Sequence, residues 1–211
     1  MSVARLAIAI LAMASVVVAS NYLVQFPVHG VLGGINLADL LTWGAFTYPA
    51  AFLVTDLTNR RFGVNAARLV VLSGFVVAVV LSVWLATPRI AIASGSAFLV
   101  AQLLDVTIFD RLRRATWWKA PIVSSLIGSV VDTVLFFGLA FAAVFSATLG
   151  YHDEFATEVA PLFGVLASEA PRWISWALGD FSVKILVSLL LLAPYRVLMA
   201  LIAPLPAART A

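Results

Sequence analysis

The chain has 211 residues, of which 63% are hydrophobic, 11% are charged and none is cysteine. Soluble domains are about 45–50% apolar and about 25% charged, so this composition excludes a water-soluble fold and indicates a protein that lies in lipid. The lack of cysteine excludes disulfides, thiolate metal sites and cysteine nucleophiles. The net charge of +3 comes from cations in short loops between apolar runs, which favours membrane orientation over nucleic-acid binding.

In chain order, six apolar runs approach or exceed the roughly 20 residues that a membrane-spanning helix needs. The sequence therefore predicts an all-α integral membrane protein with six transmembrane helices in one domain over residues 1–211. The predicted spans are residues 5–26, 37–57, 66–87, 90–109, 120–147 and 173–203. The last two exceed the required length, which predicts tilt, a kink near Pro194 or an amphipathic end. An alternative for residues 1–20 is a cleaved signal peptide, although the apolar run continues through Phe26.

The loops between these spans predict their orientation. The second and fourth connections are rich in cations, whereas the connection at 148–172 carries four acids against one arginine. With six spans, the two cation-rich connections share a side with both termini, including Arg5, Arg196 and Arg209. The positive-inside rule assigns that side to the cytoplasm, so the sequence predicts an N-in, C-in topology.

Ionisable residues fall within the predicted spans: Asp39, Asp56, Asp105, Asp132, Asp180 and Lys184. Each costs at least about 2.5–3.5 kcal/mol at the bilayer centre, so together they indicate paired charges, a water-filled pathway or a polar substrate site. By contrast, the uncharged stretch at 70–85 predicts a scaffold that faces lipid or another subunit, which allows a homodimer. A buried acid such as Asp132 is also a candidate for carrying a proton.

Spacing of three or four residues places the polar and aromatic residues on three helix faces. These faces hold Phe98, Gln102, Asp105 and Phe109; Ser125, Ser129, Asp132 and Phe136; and Trp173, Trp176, Asp180, Lys184 and Ser188. Asp180 and Lys184 are four residues apart and can pair within one helix. Asp56 can likewise pair with Arg60, or act at a gate. Small residues in the fifth span, such as Gly128, can serve helix packing instead of binding.

Carboxylates and an amide beside aromatic rings fit a planar, amide-like solute. A carboxylate accepts two donors at once, as the N–H and adjacent amino group of a guanine-like edge offer, and the rings supply stacking. The sequence has no concentrated cluster of arginines, so a phosphorylated nucleotide is a poor fit. The two histidines, His29 and His152, fall in predicted loops, so neither a metal site nor another cofactor is expected. The residues alone thus predict a small neutral or cationic aromatic solute.

Several blocks of sequence run in order from about Thr47 to Leu198: FLVTDLTNRRFG followed by Ala67 and Arg68, PRIAIAS, AQLLDVTIFDRLRR, SLIGSVVDTVLFF and DFSVKILVS. Together they resemble the queuosine precursor transporter family, also called the vitamin uptake transporter family. The resemblance implies a six-helix protein of the bacterial inner membrane. It also implies import of 7-cyano-7-deazaguanine and 7-aminomethyl-7-deazaguanine for queuosine synthesis, with no enzymatic activity and no catalytic residue.

The same blocks select candidate residues: Asp56, Thr58, Arg60, Gly63, Arg68, Arg89, Gln102, Asp105, Asp132, Thr133, Asp180 and Lys184. In the resulting hypothesis, Asp132 or Asp105 accepts hydrogen bonds from the donor edge of the deazaguanine, with Asp180 nearby. Gln102 or Lys184 then meets the keto oxygen. One of the rings of Phe98, Phe109 and Phe136 stacks on the substrate. The charges Asp56, Arg60, Arg68 and Arg89, with Thr58, serve as gating or structural residues.

Other functions stay open at this stage. Six spans without a soluble domain also suit the substrate-binding subunit of an energy-coupling-factor vitamin importer, which needs an ATPase partner, or a carrier of another nucleobase-like solute. An aspartyl intramembrane protease fits poorly, because ALGD at Ala177–Asp180 lacks the first glycine of a GxGD pattern. The segment AFLV occurs at Ala51–Val54 and again at Ala97–Val100, by chance or as a weak internal repeat.

Overall fold

A computed structural model describes residues 3–114, 116–150 and 152–202, and most of them are helical. The helices are α1 (Val3–Leu23), α2 (Trp43–Thr47), α3 (Ala50–Phe62), α4 (Val64–Leu85), α5 (Pro88–Leu112), α6 (Lys119–Phe141), α7 (Ser146–Leu149), α8 (Glu154–Thr157), α9 (Arg172–Leu190) and α10 (Leu192–Ile202). The connections hold two antiparallel hairpins, formed by β1 (Val31–Leu32) with β2 (Ile35–Asn36) and by β3 (Val159–Pro161) with β4 (Glu169–Pro171). Short 3₁₀ turns lie at Leu37–Asp39, Ala143–Phe145 and Leu162–Gly164.

Within the described residues, five segments are long and apolar enough to cross a membrane: α1, α4, α5, α6 and the α9–α10 segment. They correspond to the first, third, fourth, fifth and sixth predicted spans. Large apolar side chains on α4, including Val76, Val83 and Trp84, are exposed on the outside of the bundle. Such a surface is stable against lipid, so the chain is a multi-pass membrane protein. A homodimer through this apolar face stays a prediction.

The second predicted span, residues 37–57, is not one continuous helix. It begins as the 3₁₀ turn at Leu37–Asp39, and its helical part breaks between α2 and α3 at Pro49. Proline has no N–H to donate to the carbonyl of Ala45, so the helix cannot run through this position. The 13 residues of α3 rise only roughly 20 Å. Asp39, which was predicted inside the span, lies on an exposed turn and accepts a hydrogen bond from Asn36.

The last two spans also end differently from the prediction. Helix α6 ends at Phe141, six residues before the predicted end at Ala147, and the chain continues as short turns. The last span breaks at Leu191, three residues before Pro194, because this proline cannot donate to the carbonyl of Leu190. The predicted kink near Pro194 is therefore confirmed. Its predicted end at Ala203, and Arg209 beyond it, lie outside the described residues.

Helix α6 approaches α3 closely at Gly128. A Cβ atom at this position would lie 2.9 Å from Cε1 of Phe52, whose ring is buried. At Gly138, on the same helix, an added Cβ would meet no atom within 4 Å. The absence of a side chain at Gly128 thus allows the two helices to pack, as the small residues of this span predict.

Gly128→Ala should therefore destabilise the protein by about 1–3 kcal/mol, the usual range for overpacking a core. Gly138→Ala is the matched control, since alanine favours a helix over glycine by up to about 1 kcal/mol and no steric cost is expected there. The check is the thermal unfolding midpoint of the purified proteins in detergent. Equal midpoints for the two variants would show that the close approach at Gly128 does not limit packing.

The helix ends define two faces of the bundle. The C-terminal ends of α1 and α4, the N-terminal ends of α5 and α9 and the C-terminal half of α6 surround one cavity, and this side is called the cavity face. The chain reaches the opposite side at the end of α3, where Arg60 and Arg61 lie in the last turn, and again at the end of α5. This second side is called the basic face.

Candidate functional site

The cavity at the cavity face has a volume of about 410 Å³ and reaches into the bundle between α1, α5, α6 and α9. Small-molecule sites usually have volumes of about 300–1,000 Å³ and are mostly apolar with a few convergent polar groups. The acidic residues lining it are Asp39 at the loop side, Asp132 from α6 and Asp180 from α9, joined by Lys184. The cavity is therefore large enough for a heterocyclic solute and offers charged partners within the membrane domain.

Asp132, Asp180 and Lys184 form one ion-paired group, called here the Asp–Lys–Asp triad. The Lys184 Nζ atom donates to Oδ2 of Asp132 at 2.6 Å and forms a second salt bridge with Oδ2 of Asp180. This confirms that the acid and base of α9 pair across one turn, and it adds a partner from α6. Buried charges are tolerated when they are paired and hydrogen-bonded. Two carboxylates against one ammonium leave the triad with one net negative charge.

The triad is anchored by neighbouring hydroxyl groups. The Tyr48 hydroxyl, at the break between α2 and α3, donates to Oδ1 of Asp132 at 2.8 Å. The Thr133 hydroxyl donates to Oδ2 of Asp180 at 3.2 Å. Both oxygens of Asp132 are thus occupied. The break at Pro49 places Tyr48 against the triad, and this contact is one that helical periodicity could not predict.

Asp180 is the most accessible member of the triad. Its side chain is 16% exposed, compared with 6% for Asp132 and 4% for Lys184. Among the described residues, Thr133 and Lys184 both donate to the Oδ2 atom of Asp180. Its Oδ1 atom is therefore the carboxylate oxygen best placed to accept hydrogen bonds from a solute in the cavity.

Aromatic side chains form one wall of the cavity. Phe136 and Phe141 of α6 and Trp176 of α9 line it. The rings of Phe141 and Trp176 meet edge to face, with centroids 5.4 Å apart, and Phe136 meets Phe141 at 6.3 Å. Rings held in such T-shaped contacts keep fixed orientations and present flat surfaces on which a planar solute can stack.

A second polar group, called the inner cluster, lies between α3 and α5 and consists of Thr55, Asp56, Gln102 and Asp105. Each of these residues is at most 2% exposed. The Thr55 hydroxyl lies 3.2 Å from Oε1 of Gln102 and 3.5 Å from Oδ2 of Asp105. The Oδ1 atoms of Asp56 and Asp105 are buried and have no hydrogen-bond partner among the described residues. The inner cluster is thus buried polar structure outside the walls of the cavity.

Arg60 forms no salt bridge with Asp56, which was one of the two alternatives for Asp56. Instead, its Nε atom donates to the Tyr195 hydroxyl of α10, and its Nη1 atom donates to the carbonyl oxygen of Arg113 at 3.0 Å. The guanidinium group also lies over the rings of Phe109 and Tyr195, 5.3 and 5.7 Å from their centroids. Arg60 therefore ties α3 to α10 and to the end of α5 at the basic face.

Comparison with known proteins assigns the chain to a family. Residues 42–87 and 81–199 match the family described as "Putative vitamin uptake transporter". The "Queuosine precursor transporter" of Escherichia coli (strain K12) is 35% identical over 206 residues, which cover 87% of this chain and 81% of that protein. The chain belongs to the queuosine precursor transporter family. The resemblance seen in the sequence blocks is thereby confirmed.

Other members of the queuosine precursor transporter family align over shorter stretches. The "Probable queuosine precursor transporter" of Haemophilus influenzae is 40% identical over 153 residues, covering 60% of this chain and 65% of that protein. The protein of the same name from Bacillus subtilis (strain 168) is 25% identical over 144 residues, covering 55% and 63%. No solved structure matches the chain.

In this family member, the predicted substrate-binding residues divide into two groups. Asp132, Asp180, Lys184 and Phe136 line the cavity, whereas Gln102, Asp105, Phe98 and Phe109 do not. Phe98 is buried beside the Tyr48 ring, with centroids 6.2 Å apart, and Phe109 lies beneath Arg60. A role for these four residues in direct binding stays a prediction that the cavity does not support.

The predicted gating residues also lie in different surroundings. The Thr58 hydroxyl donates to the Val54 carbonyl within its own helix, and Arg68 is exposed near the start of α4. Arg89 is buried and donates to the carbonyl oxygens of Leu139 and Ala142 at 2.8 and 2.7 Å, so it caps the C-terminal end of α6. These contacts fit the structural alternative for Arg89, and its role stays a prediction.

Sequence analysis missed three polar partners: Tyr48 beside the triad, Thr55 in the inner cluster and Tyr195 beside Arg60. A tyrosine next to a proline inside an apolar run was the available signal for Tyr48. The two AFLV segments each supply a phenylalanine, Phe52 and Phe98, that packs edge-on against the Tyr48 ring. The ring centroids lie 6.3 and 6.2 Å from that of Tyr48.

Proposed function

We propose that the protein imports queuosine precursors, 7-cyano-7-deazaguanine and 7-aminomethyl-7-deazaguanine, across the bacterial inner membrane, and that the cavity binds the deazaguanine ring. The observation that carries this proposal is the combination of Asp180 Oδ1, the Lys184 ammonium and an aromatic wall in one cavity of about 410 Å³. Family membership supports the class of substrate, since the relatives are named for queuosine precursors.

In the proposed orientation the cavity face is outside and the basic face is cytoplasmic. Arginines at the end of α3 and at the end of α5 lie at the basic face, and the positive-inside rule places such cations in the cytoplasm. Helices α2 and α3 together act as the second of six passes, which gives the N-in, C-in topology. The cavity then faces the side from which an imported solute arrives.

In the bound state, Asp180 Oδ1 accepts hydrogen bonds from the N1–H and 2-amino groups of the deazaguanine. The 6-keto oxygen lies toward the Lys184 ammonium, and the ring stacks on Phe136 or Trp176. Asp132 holds Lys184 and Tyr48 in position. It does not accept hydrogen bonds from the donor edge of the deazaguanine, the role that the sequence hypothesis gave to Asp132 or Asp105. The net negative charge of the triad adds attraction for the cationic aminomethyl compound.

For release to the cytoplasm, helix α10 acts as the inner gate. A break at Leu191 separates α10 from α9, and the Arg60–Tyr195 contact holds α10 against α3. A small cavity of about 20 Å³, lined by Asp56, Ser188 and Tyr195, lies beneath this contact. Movement of α10 about the break would widen this cavity into an exit path, because hinges absorb such changes at element ends.

The test of the function is uptake by proteoliposomes that contain only the purified protein. Both deazaguanines should enter faster than guanine and adenine, and both should raise the thermal unfolding midpoint of the protein selectively. Uptake without an ATPase would exclude an energy-coupling-factor subunit. Neither stabilisation nor uptake with any deazaguanine would reject the proposed substrate, and uptake of guanine or adenine instead would replace it.

Tyr195→Phe should shift the protein toward the state that is open to the cytoplasm, since it removes the hydroxyl to which Arg60 donates. The chain has no cysteine, so a single Ser188→Cys reporter beside the small cavity can be labelled without background. We expect the labelling rate of this cysteine to rise several-fold when Tyr195→Phe is added.

The matched control adds Tyr22→Phe, on α1 away from the gate, to the same reporter. It should leave the labelling rate unchanged. Equal labelling in all three proteins would show that the Arg60–Tyr195 contact does not hold the gate closed.

A further inference from the structure

The inner cluster contains two buried acids without a salt-bridge partner. Asp105 is 0% exposed and Asp56 is 2% exposed, and none of the salt bridges among the described residues involves either. In the triad, by contrast, each acid is paired with Lys184. Charges buried without a counterion are far less stable than paired ones. Asp56 and Asp105 therefore cannot both be ionised, whereas the two acids of the triad can.

Two acids in this position require a proton. The Oδ1 atoms of Asp56 and Asp105 are buried and receive no hydrogen bond from the described residues. Two ionised carboxylates here would each hold a desolvated charge without a donor or a counterion, which costs far more than a neutral carboxylic acid. Neighbouring carboxyl groups in a protein commonly share a single proton, because their negative charges repel at short distance. The burial and the missing donors therefore fit a pair that holds one proton.

The surroundings of the pair are also incomplete. The Nε2 atom of Gln102 is buried and has no acceptor among the described residues, although its Oε1 atom contacts Thr55 within the cluster. The Nη2 atom of Arg60 is likewise buried without an acceptor. These unused donors indicate that the inner cluster forms different hydrogen bonds in another state of the protein.

The other charged and titratable groups beside Asp56 are Arg60, one helical turn later on α3, and Tyr195 of α10, which lines the same small cavity as Asp56. On α6, the Ser124 hydroxyl is also buried without a hydrogen-bond partner among the described residues. Arg60 is held by Tyr195 and the Arg113 carbonyl in this state. If α10 moves, Arg60 loses Tyr195 and can turn its guanidinium toward the carboxylates. The cation then replaces the proton as the counterion of the pair.

We propose that Asp56 and Asp105 together bind one exchangeable proton and that this proton is carried across the membrane with the substrate. The inference rests on the proposed function. In each cycle one proton from outside water binds the pair while the cavity face is open. One proton then passes to cytoplasmic water when α10 opens and Arg60 takes its place. Asp132 does not serve as the carrier, because it is already paired with Lys184.

The first experiment measures accumulation of the neutral compound 7-cyano-7-deazaguanine in proteoliposomes, with the membrane potential clamped at zero by valinomycin and equal potassium. With one proton per substrate, an outside-acidic gradient of one pH unit should give about tenfold accumulation at steady state. Asp105→Asn and Asp56→Asn should still exchange labelled for unlabelled substrate but should not accumulate it. The control, Asp110→Asn, changes a partly exposed acid of the same helix and should accumulate normally.

The second experiment needs no substrate. The infrared spectrum of the purified protein at neutral pH should contain the C=O band of a buried carboxylic acid. This band should persist in Asp110→Asn and disappear in the double variant Asp56→Asn with Asp105→Asn, which removes both carboxyl groups of the pair.

These measurements separate the two proposals. Wild-type protein that equilibrates the substrate without accumulating it, or that lacks the infrared band, would overturn proton coupling while leaving the proposed function intact. Accumulation by Asp105→Asn and Asp56→Asn would also overturn it. A wild-type protein with the band but no uptake or exchange of the deazaguanine would reject the proposed function and retain the proton-binding pair.

Discussion

Asp180→Asn should lower the affinity for 7-deazaguanines about 100-fold while leaving the protein folded. Hydrogen bonds to a charged group contribute about 1.5–3 kcal/mol each, and the asparagine replaces an anionic acceptor for two donors with a neutral amide. The fold should persist because the Asp132–Lys184 salt bridge at 2.6 Å remains and is electrically balanced. The loss should therefore appear in binding and uptake, and the thermal unfolding midpoint should change little.

Asp39→Asn is the matched control for this prediction. Asp39 also lines the cavity, but it lies on an exposed turn and already accepts a hydrogen bond from Asn36. Titration of both variants with 7-cyano-7-deazaguanine, followed by tryptophan fluorescence, compares them directly, since Trp176 lines the same cavity. An unchanged dissociation constant for Asp180→Asn would remove this carboxylate from the binding site.

Lys184→Met should have the largest effect on stability, a loss of about 3–5 kcal/mol, because it leaves two buried carboxylates without their shared cation. The side chain volumes are similar, so little of this loss comes from packing. We expect a strongly reduced yield of folded protein in the membrane and a lower unfolding midpoint in detergent. Transport should be absent.

The double variant Lys184→Met with Asp132→Asn separates charge from packing. It removes one of the two unpaired charges, and the asparagine can still accept the Tyr48 hydrogen bond. Most of the lost stability should return in a double-mutant cycle, while transport stays absent because the ammonium is gone. Additive destabilisation by the two changes would show that ion pairing does not hold α6 to α9.

The two polar groups suit different steps of transport. The Asp–Lys–Asp triad is internally paired and borders the cavity, so it can recognise a solute without a change in protonation. The inner cluster lacks a base, is closed off from the cavity and lies next to the Arg60–Tyr195 contact at the basic face. In the proposed mechanism, this division gives each of the buried acids in this small membrane protein a role.

Much of the candidate site was predictable from spacing within single helices. The Asp180–Lys184 pair and the polar face of α6 follow from residues three or four positions apart, since such residues share a face whatever surrounds the helix. The break near Pro194 follows equally from the missing N–H of proline. The broken second span was harder to predict, because its apolar composition hides the effect of Pro49.

The sequence by itself determined that the protein lies in a membrane, to which family it belongs and which helix faces are polar, because composition, ordered blocks and helical period are local properties. Only the tertiary structure decided which faces meet. It joins Lys184 to Asp132, Tyr48 to Asp132 and Thr55 to Asp105, pairs that lie about 50 or more residues apart in the chain. Helical spacing specifies a direction around one helix axis but not the neighbour in that direction. Packing of the whole bundle therefore divided the predicted residues between the cavity and the inner cluster.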